Sequence, residues 1–208
     1  LSISTSNTIL NTGYSIDFNE NKVFVATVNG FNIFDQTNNT FKRYFAGEKT
    51  KLTSSTILGV KSFENSVLIV GENELVTYNL SDSTFDLVSR FENGISKTEF
   101  LNDGGILMQT SSGTKRIDYS KERFDIKSVD FYPNLTDKNV FQISDYTFIW
   151  QKGTEELSTI SLDNRFKDLV INESINSITS KDGTLYFGTS NGVMYFDSKE
   201  SMVREHSN

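Results

Sequence analysis

The feature that most constrains this chain is a unit that it repeats five times. "KVFVATVNGFNIFD" (Lys22 to Asp35) returns as "SVLIVGENELVTYN" (Ser66 to Asn79) and "GILMQTSSGTKRID" (Gly105 to Asp118). It returns again as "FIWQKGTEELSTIS" (Phe148 to Ser161) and "TLYFGTSNGVMYFD" (Thr184 to Asp197). Anchored on the first apolar strand of each copy, at Val23, Val67, Ile106, Ile149 and Leu185, the steps are 44, 39, 43 and 36 residues. A second anchor, where a later apolar strand begins at Phe41, Phe85, Phe124, Phe166 and Met202, steps by 44, 39, 42 and 36. Two landmarks that keep one spacing through five copies mark a structural repeat.

Each copy reads as four short strands. An apolar strand such as "TGYSIDF" or "SINSIT" leads through a polar turn into a buried strand. A turn around Gly30, Gly113 or Gly192 follows, then a third strand and a closing, alternating one such as "TFKRYF" or "TFDLVS". The "SNG" of the last copy suits a short hairpin, because Asn and Gly tolerate positive φ. Four strands in roughly 40 to 45 residues is the pattern of a β-propeller blade. No helical periodicity competes with it. The expectation is therefore an all-β chain, a single β-propeller domain or portion of one over residues 1–208. Its five four-stranded blades fall near 12–46, 56–91, 95–131, 139–171 and 174–206. With 17 Phe among the residues and only 36% hydrophobic content, rings must fill much of the core.

Composition removes several function classes. A net charge of -7 without basic clusters argues against a nucleic-acid surface. There is no cysteine, so disulfides, thiol catalysis and thiolate metal sites are out. The one histidine, His206, lies in the terminal tail, which leaves zinc sites and Ser-His-Asp triads without materials. No cofactor, metal or catalytic residue is assigned. No run reaches the length of a membrane span, and "LSISTSNTIL" is not a signal peptide. The strand-like stretches at both ends read as an excised portion of a longer array, with a closed five-bladed ring as the alternative.

"INSITSKDGTLYFGTSNGVMYFD" resembles the two-component regulator propeller repeat. Ile175, Ile178, Asp182, Gly183, Leu185, Tyr186, Phe187, Gly188, Thr189, Gly192, Val193, Phe196 and Asp197 carry the match. The first copy repeats it in part through Val25, Thr27, Gly30, Phe31, Phe34 and Asp35, while the second places Glu74 at the turn glycine. The resemblance implies the extracytoplasmic, periplasmic sensor region of a bacterial histidine kinase or hybrid two-component system. Such propellers are commonly seven-bladed, and the parent is then a membrane-anchored homodimer that responds to a ligand such as an oligosaccharide. The alternatives are a free-standing protein-interaction scaffold and a carbohydrate-active propeller enzyme.

Propeller geometry points to where a ligand would bind. Turns between second and third strands share a face with the connections between blades, and loops on a rigid scaffold carry function. That face should display Asn29, Glu72, Asn73, Lys152 and Asn191, with Tyr132 on a long connection as a stacking ring. Other repeated residues read as structural. Thr27, Thr110 and Thr189 recur at one position as hydroxyls bonded to nearby backbone, and Gly30, Gly113, Gly188 and Gly192 belong to the repeat. Asp182 and Gly183 form a turn. Trp150, aligned with Phe24, is expected to pack between blades rather than to stack on a sugar.

Overall fold

The structure, a computed structural model, describes residues 13–101, 104–120, 123–128, 135, 138–143, 146–161, 166–169, 171–182, 184–197 and 202–205. Tyr132, Gly183 and His206 lie outside these. The described residues form twenty strands in five four-stranded antiparallel sheets, with no helix among them. The first sheet holds β1 (Gly13–Asn19), β2 (Lys22–Thr27), β3 (Gly30–Asp35) and β4 (Thr40–Tyr44). The second holds β5 (Ile57–Phe63), β6 (Ser66–Gly71), β7 (Glu74–Asn79) and β8 (Phe85–Arg90). The third holds β9 (Ile95–Phe100), β10 (Ile106–Thr110), β11 (Gly113–Ser120) and β12 (Arg123–Ser128). The fourth holds β13 (Asn139–Ile143), β14 (Tyr146–Trp150), β15 (Leu157–Ser161) and β16 (Phe166–Leu169). The fifth holds β17 (Ile175–Lys181), β18 (Thr184–Thr189), β19 (Val193–Asp197) and β20 (Met202–Glu205). Every sheet is a simple meander in chain order, as propeller blades are.

Strand alternation gives each blade two faces, and both are apolar where blades meet. In the first sheet the pairs Phe24↔Ile33 and Ala26↔Phe31 share one face, while Val23↔Phe34 and Val25↔Asn32 share the other. The face with Phe24, Ala26, Phe31 and Ile33 is buried against Val60, Val67, Ile69, Val76, Tyr78 and Phe85 of the second sheet. Rings dominate there: Phe31 meets Tyr78 edge-on at 5.7 Å between centroids, and Tyr78 meets Phe85 at 4.8 Å. Leu68, Val70 and Leu75 of the second sheet then bury Ile106, Met108 and Ile117 of the third. Leu107 of the third packs with Leu101 just after β9, Leu135 of the following connection and Ile149 of the fourth. Phe148 and Leu157 of the fourth bury Leu185, Phe187 and Phe196 of the fifth. The same two-faced logic thus operates at four successive joints. No core cluster of the described residues joins the first sheet to the fifth.

First strands of the first three blades lie side by side. Asp17 of β1 accepts hydrogen bonds from the Ser62 backbone N–H at 2.6 Å and the Ser62 hydroxyl at 2.7 Å. The Asn19 side-chain amide donates to the Phe63 carbonyl at 3.0 Å. Phe100 of β9 lies so close over Gly59 of β5 that a Cβ there would sit 2.7 Å from its ring.

One expectation needs correction. In the fourth blade, β13 pairs Phe141↔Phe148 and Asn139↔Trp150, whereas β1 pairs Asp17↔Phe24 and Ser15↔Ala26. Phe148 therefore takes the place of Phe24, and Trp150 that of Ala26, so the sequence alignment runs two residues out of step. The cause is the longer loop between β14 and β15, which absorbs residues that the other blades place in strands. A shift of two leaves the pleat unchanged. Trp150 accordingly still packs on the core that holds Phe148, Leu157 and Phe187.

Candidate functional site

In the first, second and fourth blades, backbone hydrogen bonds stitch the turn between second and third strands to the connection that follows the blade. Gly30 N–H donates to Ser55 O at 2.7 Å in the first. In the second, Phe91 N–H donates to Asn73 O at 2.7 Å and Ile95 N–H to Glu72 O at 2.6 Å. In the fourth, Gly153 N–H donates to Ile175 O at 2.8 Å and Ile175 N–H to Thr154 O at 2.9 Å. The third blade uses a side chain instead: Leu135 N–H donates to Gln109 Oε1 at 2.8 Å. Turns and connections are thereby held on one end of the blades.

On that end a cleft of about 630 Å³ opens between the second and third blades. Glu72 and Asn73 form one wall, Asn93 to Ser96 the floor of the connection, and Gln109 to Ser111 with Gly113 and Thr114 the other wall. Its polar groups are held by their neighbours. Ser54 donates its hydroxyl to the Glu72 carboxylate. Gln109, almost wholly buried, donates through Nε2 to Thr110 O at 2.9 Å and accepts the Thr114 hydroxyl at 3.1 Å. Amides, hydroxyls and one carboxylate line the cleft, with no histidine, cysteine or lysine. Such a lining can exchange hydrogen bonds with a polar ligand.

The recurrent threonines brace the corresponding turns of three blades. Thr27, Thr110 and Thr189 donate their hydroxyls to the carbonyls of Gly30 (2.9 Å), Gly113 (2.8 Å) and Gly192 (3.1 Å). These glycines all have positive φ. The second blade reverses the pair. Gly71 stands at the threonine position and Glu74 at the glycine position, fully buried, with its carboxylate folded over Gly71 and accepting the Thr53 hydroxyl. In the fifth blade Glu173 accepts the Thr189 hydroxyl and, at 3.2 Å, the Asn191 amide. Those hydrogen bonds, the threonine's foremost, hold the Glu173 carboxyl below its ordinary pKa.

Of the residues expected at the site, Glu72 and Asn73 meet in the cleft. Asn29, Lys152 and Asn191 sit on the corresponding turns of the first, fourth and fifth blades and do not line it. Asp182 is an exposed turn residue with a φ of 51°. Gly188 lies in β18, where a Cβ would crowd the Ser177 hydroxyl at 2.5 Å. The sequence reading passed over Gln109, Asn93, Ser96 and Thr114. Gln109 carried a usable signal, since it is the polar residue in the otherwise apolar run "ILMQT". Among the described residues, no three His, Cys, Asp or Glu side chains gather as a metal site, and no helix is long and apolar enough to cross a membrane.

No protein-family model matches the chain, and no curated protein sequence matches it. Solved structures do. The chain is similar to the dihydro-heme d1 dehydrogenase NirN (TM-score 0.64, 12% identity, 93% of this chain and 46% of that one). It is similar to the extracellular domain of BT3049 from B. thetaiotaomicron, described as a hybrid two-component system (TM-score 0.60, 19% identity, 93% of this chain and 29% of that one). It is also similar to the extracellular domain of BT4673 from the same organism, described as a one-component system (TM-score 0.59, 16% identity, 100% of this chain and 29% of that one). The chain spans less than half the length of each. At these identities the likeness shows the fold, a β-propeller architecture that occurs both in extracellular domains of signalling systems and in an enzyme.

Proposed function

We propose that this chain is the extracytoplasmic ligand-sensing propeller of a bacterial two-component signalling receptor. The observation that carries the reading is the polar cleft between the second and third blades, built on turns that a rigid scaffold holds in place. Support also comes from the fold it shares with extracellular domains of two signalling proteins, and from the resemblance of the fifth blade to the two-component regulator repeat. The cleft acts by binding without turnover. Its amides and hydroxyls suit a neutral polyhydroxylated ligand, so an oligosaccharide is the ligand class proposed. The parent would be a membrane-anchored homodimer, and ligand would bias it only by the difference in affinity between its two arrangements.

The test is a calorimetric and thermal-shift screen of the chain against neutral oligosaccharides, repeated with Asn73→Ala and Asn93→Ala. Both residues line the cleft, and loss of one well-made hydrogen bond to a bound ligand should weaken affinity about tenfold. A saccharide that raises the melting temperature and loses affinity in these variants supports the reading. Binding that ignores both substitutions moves the site elsewhere, and sugar cleavage by the chain would replace sensing with catalysis.

A further inference from the structure

The end of the blades opposite the cleft carries a second cavity, of about 280 Å³, at the joint between the first and second sheets. Strand register gathers its first-sheet side. Lys22, Asp35 and Thr40 pair across β2, β3 and β4, and Ile33 pairs with Lys42 two residues further along. Residues two apart on a strand share a face, so all five stand on the face that packs on the second sheet. Across from them lie Tyr78, Leu80 just after β7, and Ser83 in the turn that follows. Buried Ile33 and Tyr78 form the floor, and exposed Thr40, Lys42 and Ser83 stand at the rim.

The polar groups of this lining are mostly donors. Neither Lys22 nor Lys42 closes an ion pair with a described residue, and the Thr40 hydroxyl has no hydrogen-bond partner among the described residues. Tyr78 donates its hydroxyl to Ser83 Oγ at 3.0 Å, so in the 3.1 Å contact between the Tyr44 and Tyr78 hydroxyls it is Tyr44 that donates. Ser83 therefore accepts from Tyr78 and keeps its own hydrogen to give. It is held at a φ of 63°, a left-handed conformation that is uncommon outside glycine and gathers at ligand sites. Asp35 is the one carboxylate in the lining, and its oxygens are engaged. Oδ1 accepts the Thr37 and Asn38 backbone N–H groups at 3.0 and 3.1 Å, and Oδ2 accepts the Asn38 side-chain amide at 3.1 Å. Asp82, beside Ser83, accepts the Thr84 N–H at 3.0 Å and hydroxyl at 2.7 Å and does not line the cavity. Two ammonium groups against one carboxylate leave one positive charge uncompensated here, in a chain whose net charge is -7.

We propose that this cavity binds a small organic monoanion, a carboxylate with an apolar body, its head between Lys22 and Lys42 and its body against Ile33, Tyr78 and Leu80. A monoanion balances the charge, and the Ser83 and Thr40 hydroxyls suit carboxylate oxygens. The volume admits about nine water-sized groups, the size of benzoate. The site shares no residue with the cleft between the second and third blades.

Amide chemical-shift titration of the chain with benzoate and with hexanoate, at constant ionic strength and with benzyl alcohol and hexanol as neutral counterparts, tests this. At least one acid should give saturable shifts at residues 33–42 and 78–83, binding at least about fivefold more tightly than its neutral counterpart. Lys22→Gln and Lys42→Gln should each weaken that binding about fivefold, while Lys49→Gln, exposed and outside the lining, should leave it unchanged. Neither lysine holds an ion pair with a described residue, so both variants should keep the wild-type melting temperature. Failure of both acids to saturate, neutral counterparts that bind as well, or lysine variants that bind like wild type would each overturn the proposal. Shifts confined to the cleft would overturn it too.

Discussion

Single positions show how little room the repeat leaves. Gly30 has a φ of +105°, donates across to Ser55, and sits where a Cβ would run into the Tyr44 carbonyl oxygen. Gly30→Ala meets both strained backbone and fixed main chain, so it should cost about 2–4 kcal/mol. Urea unfolding measures this, and a loss below about 1 kcal/mol would show that the turn re-forms around the new Cβ. Asp17 shows a charge used at a joint. Burial raises its pKa, but hydrogen bonds from Ser62 and the Phe18 backbone, with the Lys61 charge, more than offset that and leave it lowered. A lowered folded pKa means that the ionised group favours the folded state. That contribution is fully present above the unfolded value, about pH 4, and is lost as pH falls through the folded one. Asp17→Asn should therefore cost on the order of 0.5–1 kcal/mol at neutral pH, and the difference from wild type should shrink below about pH 4. A constant difference across that range would mean that the carboxylate charge contributes nothing.

Within a blade, the hairpin between second and third strands works as a unit, and the second blade shows it by exchanging two residues. Where other blades pair a threonine with a glycine, this one pairs Gly71 with Glu74, and the carboxylate fills the space that a side chain on Gly71 would need. Gly71→Thr alone should overpack the turn by about 2 kcal/mol. Adding Glu74→Gly restores the threonine–glycine arrangement of the first blade and should recover more than about 1 kcal/mol, read as coupling in a double-mutant cycle. Additive losses would mean that the two positions do not share space. This element also shows what was legible beforehand. Strand number, order and facing follow from the apolar period and the turn residues, because pleat and register depend on local pattern. The cleft was visible only in part. Glu72 and Asn73 stand on a turn that repeat counting locates, whereas Asn93 and Ser96 reach it through a connection whose path no local pattern dictates. The fourth blade misled the alignment for a related reason: a loop of unequal length conceals the offset until strand pairing is known.

At the scale of the molecule, stability is a sum of blades and joints, as in other repeat proteins, and the joints are unequal. Between the first and second blades a cluster of twelve buried residues includes stacked and edge-on rings. Between the third and fourth, the described core is only Leu101, Leu107, Leu135 and Ile149, with Val140 packed against it. The same joint relies on Gln109 for the bond to Leu135 that backbone groups supply elsewhere. It is therefore the place where the stack should divide. Leu107, fully buried, contributes about 2–5 kcal/mol when truncated to Ala in a core of this kind. Because few other contacts among the described residues cross the joint, that loss should uncouple the two halves rather than lower one common transition. Leu107→Ala should split the calorimetric melt into two transitions, with hydrogen exchange assigning residues 139–205 to one and residues 13–90 to the other. The matched substitution Val67→Ala, at the thick first joint, should lower a single transition instead. If Leu107→Ala also melts in one step, the chain folds as one cooperative unit and the third joint is as strong as the first.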